Sequence, residues 1–204
     1  ERWRRLTEPN ARFGVTFATE YERGGSGLLG YARAKYVTDL GSTLPAPSAQ
    51  QVLIGIETLD LRMQRISEHA TALAARLHEA PGIRQVSHPR IPGRADTVLA
   101  ERDFPRGTAG VFSIDLVGGE EAAAAFCDAL QLFAIAVNIG DARSLVCHPA
   151  STTHAHLSEA QRAACGVGPG TVRLSIGLED IEDLAADLSR GLAAAQRNAV
   201  RLVV

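Results

Sequence analysis

From residue 48 onward, apolar side chains recur at alternating steps of four and three: Val52, Ile56, Leu59, Met63, Ile66, Ala70, Leu73 and Leu77. That spacing puts them on one helical face and predicts a helix over 48–80, closed by Pro81-Gly82. At about 1.5 Å per residue the helix would reach roughly 50 Å, enough to bridge two bodies. A coiled-coil seam would show the same stripe, but the flanking positions are not consistently charged. Beyond it the pattern alternates. Strands are predicted over 83–88, 110–117, 133–137 and 171–176, and helices near 96–102 and 119–130. A further helix opens at Ser158, with Gln161 in capping-box position, and a last one runs from Asp180 as N-cap to about 196. The irregular crossings predict an α+β fold, a small sheet covered by helices on one side and preceded by the long bridging helix. Residues 1–47 are mixed, with Pro9, the glycine run "RGGSG" at 23–27, a helix over about 28–40 and then "GSTLPAP". They read as an arm or linker ahead of a domain at 48–204.

The last predicted strand carries a charge. In "TVRLSI" (171–176), alternation puts Val172, Leu174 and Ile176 on one face and Arg173 with Ser175 on the other. Two readings of Arg173 follow. It points into solvent, as most arginines do, or its face lines a cleft where a planar guanidinium grips a carboxylate through two parallel hydrogen bonds.

Composition narrows the function classes. The chain has 204 residues, is 46% hydrophobic and carries a formal charge of -2. This suits a packed globular protein and lacks the basic footprint of a nucleic-acid binder. No stretch approaches the roughly 20 apolar residues of a membrane span. Cys127, Cys147 and Cys165 are far apart and odd in number, which fits reduced thiols and a cytoplasmic setting. The chain opens on Glu1 and has one methionine, Met63, so a processed or truncated piece is expected. Lys35 is the sole lysine, on the predicted helix 28–40, and reads as a surface residue.

The segment "VNIGDARSLVCHPASTTHAH" (137–156) is long and aperiodic, as functional loops are. Gly140 permits a tight turn, within which Asp141 can bond backbone amides. Cys147, His148, His154 and His156 gather here, but no carboxylate or cysteine pair completes a zinc spacing, and no metal is expected. Neither Ser144 nor Cys147 sits in a nucleophile elbow, and His148 before Pro149 reads as a structural loop residue. "RGGSG" follows no apolar strand, so it reads as a linker and not as a phosphate cradle.

Three stretches together, "GIETLDLRM" (55–63), "FCDALQLFAIAVNIGDARSLVCHPASTTH" (126–154) and "GVGPGTVRLSIGLEDIEDLAADL" (166–188), resemble the C-terminal portion of the pyridoxal-phosphate enzymes of cysteine and methionine metabolism. The resemblance runs from about residue 28 to 197. Glu57, Asn138 and the "STTH" ending at His154 look most like O-acetylhomoserine sulfhydrylases, while "TLPAPSAQQ" (43–51) departs from the family's usual proline-phenylalanine-asparagine stretch. The resemblance implies the C-terminal domain of a fold-type I enzyme, with 1–47 the tail of its cofactor domain and 48–204 its substrate-binding domain. It implies an amino-acid substrate whose α-carboxylate is held by Arg173 and Asn138, with Thr153 near the pocket wall. It also implies pyridoxal 5'-phosphate, an electron sink bound mainly by an N-terminal domain through a lysine, and a homo-oligomer, dimer or tetramer. No lysine motif of that kind occurs here, so no catalytic residue is assigned and the stretch alone is expected to be inactive. A cystathionine or methionine γ-lyase or γ-synthase domain is the alternative within the family. A non-catalytic binding or assembly module using helix 48–80 is the alternative outside it.

Overall fold

The computed structural model describes residues 3–19, 25–94, 96–108 and 110–201, with backbone alone at 199–201. Residues 23 and 24 of the glycine run lie outside the described residues. Two compact units are present, Glu1–Glu57 and Thr58–Val204.

The first unit is built from short helices, Arg4–Thr7, Gly27–Ala32 and Ala46–Glu57, with a π-helical stretch, Arg33–Thr38, continuing the second. Its small apolar centre is Phe17, buried and in edge-to-face contact with Phe13 and Tyr31. Lys35 lies on the π-helical stretch, its Nζ 3.4 Å from Asp39 Oδ2, and Arg12 shares that carboxylate.

The helix expected over 48–80 is two helices, Ala46–Glu57 and Leu59–His78. Thr58, at φ -109° and ψ 8°, leaves the helical well, although its carbonyl still accepts from Arg62 N at 3.1 Å. A glycine three residues earlier and a β-branched threonine at the joint are both poor helix formers. The apolar stripe divides about two turns later, between Met63 and Ile66. Ile66, Ala70, Leu73 and Leu77 are buried, whereas Val52, Ile56, Leu59 and Met63 stay 43–55% exposed.

The second unit is a five-stranded sheet in the order β1-β2-β5-β4-β3: β1 Ile83–Ser87, β2 Val111–Leu116, β3 Ala134–Ile135, β4 Leu145–Cys147 and β5 Thr171–Ser175. All neighbours are antiparallel except β3 and β4. One face meets the helices Leu59–His78, Gly119–Ala129 and Ile181–Arg201 in a continuous core that includes Val86, Phe112, Ile114, Val146, Val172 and Leu174. The last two of these helices pack closely, because a Cβ on Gly191 would stand 2.9 Å from the Phe126 ring. The fold is α+β with its helices on one face of the sheet, as the pattern predicts.

Three boundaries differ from expectation. The strand at 133–137 is the two-residue β3, the final helix continues to Arg201, and the apparent loop 137–156 contains β4 and a 3-10 turn, Pro149–Ser151. Leu145, Val146 and Cys147 are all buried, so β4 has no polar-apolar alternation to betray it. The capping box at Ser158 and Gln161 is formed, as is the Asp180 cap, which accepts from Glu182 N at 2.8 Å.

Candidate functional site

Arg173 sits on β5, the middle strand. Pairing aligns Ser87, Ser113, Arg173 and Cys147 in a row across the sheet, on the face away from the helices. Val172 and Leu174 are fully buried beneath it, which fixes the register and so the side on which the guanidinium emerges. The alternation read from "TVRLSI" is therefore met.

Residues 137–144 arch over this polar face. Gly140, at φ 83°, makes the tight turn, and Asp141 Oδ1 accepts from Arg143 N at 3.0 Å, both as expected. The arch is tied to β5 and the residues that follow it. Arg173 donates through Nη2 to the carbonyl oxygens of Val137, 2.8 Å, and Asn138, 3.2 Å. Gly140 N donates to Ser175 Oγ at 3.3 Å, and Leu178 N to the Ala142 carbonyl at 2.8 Å. At the far end Glu179 accepts twice from Ser144, from N at 2.7 Å and from Oγ at 2.9 Å, while Ser144 Oγ accepts from Gly177 N at 2.9 Å. A Cβ on Gly177 would stand 2.5 Å from Ala142 O and 2.6 Å from the Arg143 carbonyl carbon, so only glycine lets the arch lie this close.

The structure thus brings Arg173 and Asn138 together, but through the asparagine's backbone carbonyl; the residue itself is exposed. The Thr153 hydroxyl is engaged with His154 Nδ1 at 2.8 Å, not with Arg173. Its segment is carried past β5 by the 3-10 turn, which packs on that strand. His148 is buried and structural: Nε2 donates to the Pro169 carbonyl at 2.8 Å, leaving Nδ1 to accept from Ser151 Oγ. Cys147, the cross-strand neighbour of Arg173, has its thiol pKa raised by burial, with the guanidinium partly opposing the shift. Sequence reasoning weighed Ser144 only as a nucleophile and passed over Gly177 and Glu179. The serine and glutamate are 35 residues apart, and neither spacing nor periodicity links them.

A guanidinium grips a carboxylate at two points either end-on, through Nη1 and Nη2, or side-on, through Nε and Nη2. Both forks include Nη2, the nitrogen now serving the arch. Nη1 and Nε make no other described bond, so the group is orientated but not neutralised. Among the described residues no group of three or more His, Cys, Asp or Glu could hold a metal ion, and no helix is long and apolar enough to cross a membrane.

Residues 25–193 match the family described as Cys/Met metabolism PLP-dependent enzyme. The chain belongs to that family. It is 42% identical over 162 residues to an O-acetyl-L-homoserine sulfhydrylase of Leptospira meyeri, covering 79% of this chain and 37% of the relative. With O-acetyl-L-homoserine sulfhydrylase 1 of Thermus thermophilus it shares 40% over 188 residues, 92% of this chain and 44% of that one. A crystal structure described as an O-acetylhomoserine (thiol)-lyase of Campylobacter jejuni, which carries a pyridoxyl-lysine monophosphate, superposes with a TM-score of 0.77. That match has 31% identity and covers 94% of this chain and 45% of the other. The chain spans about a third to a half of the length of the curated relatives it matches.

The family depends on pyridoxal phosphate, and its anchoring chemistry can be tested against these residues. Lys35 is the only lysine, and its half-exposed ammonium stands 3.4 Å from Asp39 Oδ2 in the first unit. Arg173, with free donors at one edge of an arched polar face, fits a carboxylate. The described residues thus offer a group that suits a carboxylate, and none that suits the anchoring of the cofactor.

Proposed function

We propose that the complete protein carrying this sequence replaces the acetate of O-acetyl-L-homoserine with sulfide or a thiol, giving homocysteine or methionine, and that Arg173 holds the substrate's α-carboxylate. The observation that carries the reading is the Arg173 guanidinium on the polar face of the middle strand, with Nη1 and Nε available beside the arch. In this reading Asn138 supports the guanidinium through its carbonyl, and Thr153 borders the pocket. Residues 1–47 are the tail of a cofactor domain, and 48–204 form the substrate-binding domain. The enzyme is a cytoplasmic homo-oligomer, dimer or tetramer, that takes a small amino-acid substrate.

The test is steady-state assay of the complete protein with pyridoxal phosphate, O-acetylhomoserine and sulfide. Arg173→Lys, which keeps the charge but loses the fork, is expected to raise the amino-acid KM roughly 10- to 100-fold. An unchanged KM would sink the assignment. Because L-methionine gamma-lyase of Pseudomonas putida is 38% identical over 172 residues, γ-elimination is the second reading. Keto-acid release from methionine exceeding homocysteine formation would favour it. In the polypeptide Glu1–Val204 alone, borohydride reduction after adding the cofactor is expected to leave Lys35 without a stoichiometric adduct. An adduct abolished by Lys35→Ala would show that this stretch anchors its own cofactor.

A further inference from the structure

We infer that Ser144 and Glu179 are positioning residues for carboxylate recognition, holding the arch 137–144 in place while Arg173 exchanges a backbone carbonyl for the substrate's carboxylate. The inference rests on the proposed role of Arg173. Any two-point grip needs Nη2, and Nη2 is what ties the start of the arch through Val137 and Asn138. Substrate binding therefore loosens one tie of the wall that must close beside the substrate. The longer of the two contacts, to Asn138 at 3.2 Å, is the one most readily given up.

What remains is the crest and the far end. The crest bond from Gly140 to Ser175 is long, 3.3 Å. The far end is stronger. A carboxylate there accepts from a backbone amide and a hydroxyl of Ser144, which is fully buried, and the same hydroxyl accepts from Gly177 N. Glu179 makes no ion pair among the described residues, so its charge is matched by these donors, and bonds to a charged acceptor are the strong ones. If the node is removed, the arch keeps only the Gly140–Ser175 bond and the Leu178–Ala142 backbone bond besides Arg173, leans more heavily on the guanidinium, and competes harder with each substrate molecule for Nη2. The loss then falls on substrate binding, and not only on the stability of the fold.

The experiment uses the complete protein and three variants that perturb the node differently. Ser144→Ala deletes the bridging hydroxyl, Glu179→Gln removes the charge at constant shape, and Gly177→Ala keeps both side chains but pushes the arch away from β5. Each is expected to raise the KM for the amino-acid substrate roughly 10-fold or more, with the sulfide KM and kcat little changed. The equilibrium Kd of L-2-aminobutyrate, which has no leaving group, should rise by the same factor. Since the node acts through Arg173, adding Ser144→Ala to Arg173→Ala should weaken binding no further than Arg173→Ala alone. Variants that lower Tm yet keep the parent KM and Kd would overturn the inference, as would additive effects in the double variant. Should Ser144→Ala fail to fold, Gly177→Ala and Glu179→Gln decide by the same readings, and the double variant is built on Glu179→Gln. The failures separate cleanly. If Arg173→Ala leaves KM unchanged, the proposed function falls; if it raises KM while the node variants do not, only this inference falls.

Discussion

Burial lowers the pKa of two histidines in the second unit, His69 and His88. His88 accepts from Arg90 N at its Nδ1, which fixes the proton on Nε2 and directs it to Thr108 Oγ1 at 3.3 Å. Protonating Nδ1 would break the first of these bonds, and His69, whose Nδ1 has no described partner, is no better placed to take a charge. A group with a lowered pKa in the fold binds its proton more readily when unfolded. The stability tied to its neutral form is complete above the unfolded value of about 6.5 and is lost as pH falls toward the folded one. Urea midpoints are therefore expected to fall between pH 7.5 and 5.5, and less so in His88→Asn; equal slopes would refute the assignment. Asp187 is 1% exposed and accepts from the backbone amides of Gln131, Leu132 and Phe133, with Arg190 as its ion-pair partner. Asp187→Ala leaves those amides without their acceptor and should cost about 3 kcal/mol in denaturant unfolding. That turn feeds β3 and then the arch, so the change also reaches the polar face.

At the scale of elements, the paired halves of one apolar stripe behave differently. Leu73→Ala, in the buried half, is expected to cost about 2–5 kcal/mol, whereas Ile56→Ala in the exposed half should stay within about 0.5 kcal/mol for this chain, both read from unfolding midpoints. Periodicity could find the stripe because helical spacing is the same whether the apolar face meets a core or not. It could not find the joint at Thr58, which depends on local backbone preference. Strands that alternate apolar and polar residues, such as β2 and β5, were legible in the pattern. The strand β4 was not, since all three of its residues are buried. Arg173 stood out as a charge breaking an apolar run, while the Ser144–Glu179 node required the chain to return on itself before the two residues could meet.

For the molecule as a whole, every residue of the continuous core lies between Ala70 and Ala195, inside the second unit. A chain of residues 58–204 should therefore unfold in one cooperative transition with a midpoint close to that of 1–204, measured by circular dichroism. A broad or absent transition would mean that the first unit contributes to the core. The family, the α+β class and the candidate arginine were all readable before any coordinates, because they rest on local pattern and on motif. The way the arginine is held was not, because it depends on backbone carbonyls that no side-chain code reveals.

That way of holding it bears on how long a ligand stays. A guanidinium facing an empty, dry pocket would release its ligand slowly, since departure strands a charge. Arg173 has the carbonyls of Val137 and Asn138 to return to. In the proposed function, release would then be an exchange of partners, expected to keep the residence time of a bound amino acid short and to let product leave as readily as substrate arrives.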